Sequence, residues 1–163
     1  MTNKSKTLEN LQTALAMELS AAHQYQLHAH VLDDWGMDKL ANQMREEMQE
    51  ELGHSNEYIE RIMFLKGSPE LKMAKAPQRA QTLKDMFEAD LADEREAIEF
   101  YTKASQDAAA AGDIGSRVLF EKIALDEEGH MSWLELQLDL LDRIGEKTYI
   151  SKHITVGVGA DEE

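Results

Sequence analysis

Hydrophobic residues recur along this chain at intervals of three, four and seven, the spacing that places side chains on one face of an α-helix. This pattern first appears at about residues 7–35. It recurs in three further stretches, at about residues 38–66, 82–112 and 113–145. In that first stretch the inward-facing candidates are Leu8, Leu11, Leu15, Ala22, Tyr25 and Leu32. The pattern therefore predicts four long amphipathic helices.

Residues with helix-capping chemistry mark several of the predicted helix ends. Asp38 is predicted to be the N-cap of the second helix, and Gly67 to be the left-handed residue that follows its last turn. Thr82 stands three residues before Asp85, which is a weaker form of the capping box at the start of the third helix. The segment from Glu146 to His153 is predicted to form a small fifth helix.

The lengths of the links predict how the helices are connected. Short links near Gly36 and at 111–113 permit antiparallel hairpins, whereas the link over 67–81 has 15 residues and can span roughly 50 Å when extended. A helix of about 28 residues is roughly 42 Å long, so this link can run the length of the bundle. A simple up-down bundle with a loose loop is the alternative, and the length of the link argues against it.

The predicted fold class is therefore all-α, with two antiparallel hairpins joined by one long crossover. Residues 1–145 are assigned to the four-helix bundle, and residues 146–163 to a short C-terminal helix and a frayed acidic tail.

Composition narrows the function classes. The net charge of −15 argues against non-specific binding of nucleic acid, which requires lysine and arginine to neutralise phosphates. The chain has no cysteine, which excludes disulfides, thiolate metal sites and thiol nucleophiles and fits a reducing cytoplasm. No run of 18 apolar residues is present, so no membrane span is predicted. The acidic balance fits a solvated surface or a protein that gathers cations, and charge alone does not separate the two.

A repeat of 76 residues relates the two halves of the chain. Glu18, Tyr25, Glu51, Gly53 and His54 have as their counterparts, 76 residues later, Glu94, Tyr101, Glu127, Gly129 and His130. All five pairs are identical. Two hairpins with one pattern, related by a pseudo-two-fold axis, would bring these groups together from opposite sides of the bundle.

The repeated glutamates and histidines are the types of side chain that bind metal ions. Glu51 and His54 are three residues apart, as are Glu127 and His130, and this spacing places each pair on one helix face. One Glu-x-x-His motif is most often a surface pair, but two such motifs with Glu18 and Glu94 in apolar stripes are not. Four glutamates converging in a core require positive charge among them, and two divalent ions supply it.

The types of ligand limit which metals the site could bind. Four carboxylates and two imidazoles without sulfur suit iron or manganese and also bind zinc or cobalt, and iron is the choice with redox use. Each histidine needs a partner for its outer ring nitrogen, and Asp126 and Glu50 are the candidates for that role. The predicted metal-binding and catalytic residues are Glu18, Glu51, His54, Glu94, Glu127 and His130.

This arrangement resembles the bacterioferritins of the ferritin-like superfamily, in which a Glu from each of two helices joins two Glu-x-x-His motifs. The resemblance covers about residues 8–153 and includes Gln24-Tyr25, Trp35-Gly36, Asp126-Glu-Glu-Gly-His130 and Trp133-Leu-Glu135. It implies a ferritin-like four-helix bundle with a non-haem di-iron ferroxidase centre. Fe(II) would be oxidised there by O2 or H2O2, and ferric mineral stored in a homo-oligomeric shell of 24 subunits built from dimers. The implied function is iron storage and detoxification.

The resemblance also implies roles for individual residues. Glu51 and Glu127 would bridge the two irons. Three aromatic residues would donate electrons, although their spacing alone favours ordinary core packing. They are Tyr25, Tyr58 and Trp133. Glu46 and Glu50 stand at positions that serve iron on the inner surface of the shell.

This sequence departs from the bacterioferritin pattern at the position of the haem ligand. Bacterioferritins bind haem b across a two-fold dimer interface through one methionine from each subunit. That position is Leu52 here, and leucine cannot ligate iron. Met48 and His23 are the nearby alternative ligands, and Met48 is predicted to serve in packing. We therefore expect weak or absent haem b in the usual mode.

Three other functions are alternatives to iron storage. The first is a rubrerythrin-like soluble di-iron oxidase or peroxidase that stores no mineral. The second is the non-haem subunit of a mixed shell, partnered by a haem-bearing paralogue, which rests on Leu52 alone. The third is a mini-ferritin shell that protects DNA, and the ligands within one subunit and the acidic C-terminal residues argue against it.

Overall fold

The computed structural model describes residues 3–155, and the all-α fold class is confirmed. Its helices are α1 (Asn3–Asp34), α2 (Asp38–Phe64), α3 (Leu83–Ala110), α4 (Ile114–Ile144) and α5 (Glu146–Ser151). Among these residues, none of the helices combines the length and apolar character that a membrane span requires.

The long helices form two hairpins, as predicted. Helix α1 packs along α2 and α3 packs along α4, while the hairpins meet mainly through α1 and α3 and to a smaller extent through α2 and α4. Two apolar clusters form the core. One surrounds Leu32 and Phe87, and the other surrounds Leu15, Tyr58 and Phe120. On each long helix, the acidic residues of the repeat fall between these two clusters, so the apolar core encloses a polar layer.

The start of α2 differs from the prediction. Met37 precedes the helix and offers no side-chain cap, and Asp38 is the first helical residue. The Asp38 carboxylate instead accepts hydrogen bonds from the backbone amide of Thr155, at 2.9 Å, and from its hydroxyl group. The prediction of Asp38 as an N-cap was wrong because its carboxylate is used to hold the segment after α5.

The end of α2 is displaced by one residue from the prediction. Lys66, with φ at 64°, is the left-handed residue there, and the amide of Gly67 donates to the carbonyl of Ile62 at 2.9 Å. Gly67 is needed for a different reason. A Cβ atom at Gly67 would lie 2.8 Å from the side chain of Leu8 and 3.0 Å from that of Ile62, so a larger residue would force these side chains to move.

The crossover between α2 and α3 runs beside α1 in an extended conformation. Gln12 and Glu70 exchange two side chain to backbone hydrogen bonds of 2.7 and 2.9 Å, and Gln24 and Gln78 exchange two of 2.8 Å. These pairs lie 12 residues apart on α1. The long crossover is therefore confirmed, and α3 begins at Leu83 with Thr82 accepting from the amide of Asp85 at 3.0 Å, as the capping box predicts.

Candidate metal centre

The six residues predicted as metal ligands converge between the four long helices. Glu18 comes from α1, Glu51 and His54 from α2, Glu94 from α3, and Glu127 and His130 from α4. None of the six is more than 7% exposed. The amphipathic pattern explains this burial, because each carboxylate occupies an inward position in an otherwise apolar stripe.

These side chains form two groups that share two members. Glu18, Glu51, His54 and Glu127 have ligand atoms within 4.8 Å of one another, and so do Glu51, Glu94, Glu127 and His130. Each group offers three carboxylates and one imidazole. Glu51 and Glu127 belong to both groups, so a pair of ions held here would have these two carboxylates between them.

The histidines contact the shared carboxylates through the same ring nitrogen. His54 Nδ1 lies 3.1 Å from Glu127 and 3.5 Å from Glu51. His130 Nδ1 lies 3.0 Å from Glu51 and 3.1 Å from Glu127. The ring centroids are 6.4 Å apart. The two imidazoles therefore close opposite ends of one carboxylate cluster.

The outer nitrogens of both rings face other carboxylates. His54 Nε2 lies 3.0 Å from Asp126, and His130 Nε2 lies 2.8 Å from Glu47 and 3.0 Å from Glu50. An imidazole that donates its Nε2 proton to a carboxylate keeps Nδ1 available for a metal ion. The structure thus brings Asp126 and Glu50 to the places that the sequence predicted for them.

Two tyrosines connect the cluster across the α1–α3 contact. Tyr25 on α1 donates to Glu94 on α3 at 2.6 Å, and Tyr101 on α3 donates to Glu18 on α1. These two hydrogen bonds are related by the 76-residue repeat. Each tyrosine fixes the rotamer of the glutamate on the opposite hairpin.

The carboxylates differ in their affinity for protons. Burial raises the pKa of Glu18 and of Glu94 well above the usual value, and the neighbouring carboxylates raise it further. Burial acts in the same direction on Glu51 and Glu127. Close contacts with the carboxyls of other glutamates and with both histidines outweigh it, so the pKa of each of these two falls below the usual value.

The histidines are shifted toward their protonated form. Burial by itself would lower the pKa of His54 and His130, but the surrounding carboxylates outweigh this effect and raise both values far above 6.5. Without metal, these shifts favour four added protons in the cluster, one on each carboxyl of Glu18 and Glu94 and one more on each imidazole ring, while ionised Glu51 and Glu127 balance the charge of the rings.

Two divalent cations fit this cluster in place of those four protons. Four ionised glutamates and two neutral histidines then carry four negative charges, which two such ions balance. Among residues 3–155, buried atoms of Glu51, Glu127 and His130 have ion-pair contacts of 3.0–3.1 Å but no hydrogen bond of acceptable geometry, and they belong to the two groups described above. Orphaned acceptors of this kind are costly unless a cation contacts them.

The remaining predicted residues lie in three different settings. Tyr58 is fully buried, with its ring centroid 5.8 Å from that of Tyr101. Trp133 is half-buried and packs edge-on against Phe87 at 6.0 Å, within the apolar cluster. Glu46 and Glu50 are both exposed, and Glu50 is the one that contacts the cluster.

The sequence-based prediction missed Glu47, which is only 8% exposed and contacts His130. Its position four residues before Glu51 places it on the same helix face, and that spacing is the signal that was overlooked. It also missed the role of Tyr101, although the repeat had paired this residue with Tyr25. No repeat signals the buried pair of His28 and Asp90 at 2.8 Å, because the corresponding positions are both alanine.

Tyr58→Phe is expected to leave the free energy of unfolding unchanged or to raise it by up to about 1 kcal/mol. The Tyr58 hydroxyl is buried without a hydrogen-bond partner in the described part of the chain, so its removal ends a desolvation cost. Tyr101→Phe is the matched control and is expected to cost about 1–3 kcal/mol, because it deprives Glu18 of a donor. Urea unfolding in chelator compares them, and an equal loss in both variants would contradict the assignment.

The residues around the predicted haem position lie on the outer faces of α1 and α2. Leu52 is half-buried and Met48 is half-buried against the apolar core, which confirms the packing role predicted for Met48. His23 is exposed, and its Nδ1 lies 3.0 Å from Gln26. Met48 lies one helical turn before Leu52 on α2, whereas His23 is on α1.

Comparison with known proteins places these features in context. A family model described as a ferritin-like domain matches residues 8–144. Bacterioferritin from Brucella melitensis is 42% identical over 149 residues, which cover 91% of this chain and 92% of that protein. Bacterioferritin from Rhodobacter capsulatus is 41% identical over 145 residues, covering 89% and 90%.

Solved structures agree with the sequence matches. A structure of Rhodobacter capsulatus bacterioferritin, described with a metal-free dinuclear site and a haem iron in a crystallographic special position, superposes with a TM-score of 0.93 at 38% identity. It covers 98% of this chain and 100% of its own. Bacterioferritin BfrA of Mycobacterium tuberculosis superposes with a TM-score of 0.90 at 36% identity, covering 95% and 98%.

Proposed function

Because this chain belongs to the ferritin-like family, with bacterioferritins as its relatives, we propose that it stores and detoxifies iron by oxidising Fe(II) at the centre described above. The observation that carries the proposal is the pair of four-residue groups that share Glu51 and Glu127. Two adjacent binding positions with common carboxylates are the arrangement that a two-iron oxidation requires.

The residues of the centre would divide the work between binding and proton transfer. Glu18 with His54, and Glu94 with His130, would each hold one Fe(II), with Glu51 and Glu127 between the two ions. The iron pair supplies the electrons that reduce O2 or H2O2. Binding of the ions displaces the protons of the cluster. Asp126, Glu47 and Glu50 hold the outer nitrogens of the histidines and lead those protons toward solvent.

Three aromatic residues are proposed as electron donors to the centre. Tyr25 has the most direct connection, through its hydrogen bond of 2.6 Å to Glu94. Tyr58 reaches the centre through ring contact with Tyr101, whose hydroxyl donates to Glu18. Trp133 contacts Phe87 instead, so its supporting observation is the weakest of the three.

Glu50 is proposed to bind iron on the inner surface of the shell, and Glu46 is a second acidic group on the same helix. Glu50 is half-exposed and lies 3.0 Å from His130 Nε2, so it connects the buried cluster with solvent near the α2–α4 contact. Carboxylates in that position suit a hard cation that leaves the centre.

The proposed storage form is a shell of 24 subunits built from dimers. Large apolar side chains remain exposed on the single chain, including Phe64 at 69%, Leu71 at 67% and Ile114 at 72%. Exposed apolar groups of this size are typical of surfaces that an assembly covers. A rubrerythrin-like oxidase would have no need of a hollow shell, so particle size separates the two functions.

The test is aerobic addition of Fe(II) to the metal-free protein, followed by absorbance of ferric species and by size exclusion or light scattering. We expect oxidation well above the protein-free rate, an initial phase that saturates at about two irons per chain, and a particle of shell size that retains mineral. Oxidation no faster than the protein-free control would overturn the ferroxidase proposal. A dimer without mineral would support the oxidase alternative.

Haem is proposed to be absent from the usual position, because Leu52 replaces the expected methionine. We expect the purified protein to lack a Soret band of bis-methionine character. Leu52→Met, reconstituted with haem, is expected to gain that band toward about one haem for every two chains, whereas Leu52→Ile gains none. A bis-methionine spectrum in the unaltered protein would contradict this proposal, and co-purification of a related haem-bearing chain would support a mixed shell.

A further inference from the structure

A cavity of about 190 Å³ leads from the α1–α3 side of the bundle to the carboxylate cluster. Its inner wall includes the buried residues Glu18, Glu94 and Glu127. Its outer wall includes two residues of the crossover, Ala74 and Lys75, which are exposed. A solvent-exposed part of the chain therefore stands at the opening of an acidic cavity.

The crossover is fixed to α1 at this opening. The amide of Ala74 donates to the carbonyl of Ala16 at 3.0 Å, and the amide of Lys75 donates to Ser20 Oγ at 3.0 Å. Ser20 is only 7% exposed and its hydroxyl lies 3.2 Å from the carbonyl of Lys75. The backbone of Lys75 is therefore held in place over the cavity while its side chain remains in solvent.

The side chain of Lys75 forms an ion pair with Asp93 on α3, which also lines the cavity. The Lys75 side chain is 60% exposed in this position, and the Asp93 side chain is 34% exposed. The pair connects the crossover to α3 across the opening, and Lys75 is the only basic residue among those lining this cavity.

We propose that Lys75 is a charge gate that slows the admission of divalent cations to the centre through this cavity. With Lys75 on Asp93, the positive ammonium repels a dication and occupies a carboxylate that would otherwise attract it. When Lys75 swings into solvent, Asp93 and the exposed Glu96 present two unpaired carboxylates at the opening. Charge at the mouth of an acidic cleft acts mainly on the association rate and is screened by salt.

The proposal rests on metal binding at the proposed centre but not on iron oxidation, so Co2+ is the probe. The absorbance of Co2+ reports its arrival at the protein ligands without any redox step. Stopped-flow mixing of Co2+ with the complete metal-free protein compares Lys75→Gln with Lys72→Gln. Lys72 is on the same crossover and is paired with Glu70, but it does not line the cavity, so the control loses the same charge elsewhere.

We expect Lys75→Gln to bind Co2+ about 3–10 times faster than the unaltered protein at low ionic strength. The difference in rate between Lys75→Gln and the unaltered protein should shrink in 0.5 M salt, because the Debye length there is only roughly 4 Å. Lys72→Gln should change the rate less than about twofold, and Lys75→Arg should stay slow because it keeps the charge. The final stoichiometry should be the same in all four proteins.

Equal rates in the two glutamine variants, or a fast Lys75→Arg, would overturn the charge gate. Failure of the proposed function gives a different result, because normal Co2+ binding would then be accompanied by Fe(II) oxidation no faster than the protein-free rate. Absence of Co2+ binding in the unaltered protein would overturn both.

Discussion

Replacement of Glu18 and Glu94 by glutamine is expected to slow the initial phase of Fe(II) oxidation by more than about 100-fold, since even the partners of metal ligands contribute roughly 10–100-fold. The double variant removes half of the four negative charges that balance two ferrous ions. The amide of glutamine resembles the protonated carboxyl that each residue carries without metal, and its oxygen still accepts from Tyr101 and Tyr25. The free energy of unfolding in chelator should therefore change little.

The matched control replaces Glu9 and Glu99 by glutamine. Both are exposed residues of the same two helices, so the control makes the same change in net charge outside the centre. Its oxidation rate is expected to stay within about twofold of the unaltered protein, since exposed surface charges act weakly at ordinary salt. Retained fast oxidation in the Glu18 and Glu94 variant, with the particle size unchanged, would show that the chemistry takes place elsewhere.

The second large effect is a reversal of the pH dependence of stability by metal. Without metal, the folded chain keeps protons on His54 and His130 above pH 6.5, and on Glu18 and Glu94 above pH 4.5, where the unfolded chain releases them. The folded state then binds more protons than the unfolded state, so the free energy of unfolding falls as the pH rises. From pH 6.5 to 8.5 we expect a loss of roughly 2–3 kcal/mol for each group that keeps its proton throughout this range.

Metal changes the sign of this slope. Divalent ions bind the deprotonated ligands, so their affinity rises with pH, and each ion at 100 times its Kd adds about 2.7 kcal/mol. Urea unfolding at pH 6.5, 7.5 and 8.5, in chelator and in excess Co2+, measures both slopes at one protein concentration. The Glu18 and Glu94 glutamine variant serves as the control, because it should lose most of the response to metal. A metal-free protein that becomes more stable toward pH 8.5 would contradict the protonation scheme.

Below about pH 4.5 the expected slope is opposite even without metal. The pKa of Glu51 and of Glu127 is lowered in the folded chain, so these two carboxylates stay ionised where the unfolded chain takes up protons. Their contribution to stability is lost as the pH falls. The metal-free protein should therefore be most stable in the mildly acidic range.

Local errors in the sequence-based prediction have a common physical cause. Asp38 has the residue type of an N-cap, but its carboxylate binds Thr155, which lies 117 residues later in the chain. Gly67 has the residue type of a left-handed cap, but the approach of Leu8 from α1 explains its small size. Helix-capping propensity reflects interactions between neighbours along the chain, whereas the roles of these two residues are set by contacts between distant segments.

Much of the centre was predictable because helical spacing and the repeat act together. The three-residue spacing within each Glu-x-x-His motif determines a common face, and the 76-residue repeat relates two such faces. Burial of carboxylates in an apolar stripe then requires a compensating cation. For these reasons the sequence by itself determined the helices, the two hairpins and the six side chains that converge.

Only the tertiary structure decided how those side chains divide their roles. It showed that Glu51 and Glu127 contact both histidines, that Glu47 shares His130 with Glu50, and that Lys75 stands at the opening of the cavity. These contacts depend on side-chain rotamers and on the path of an irregular crossover. The periodic sequence pattern predicts neither of them. The repeat specifies which residues meet, whereas the packing of α1 to α4 sets the distances between their carboxylate and imidazole groups.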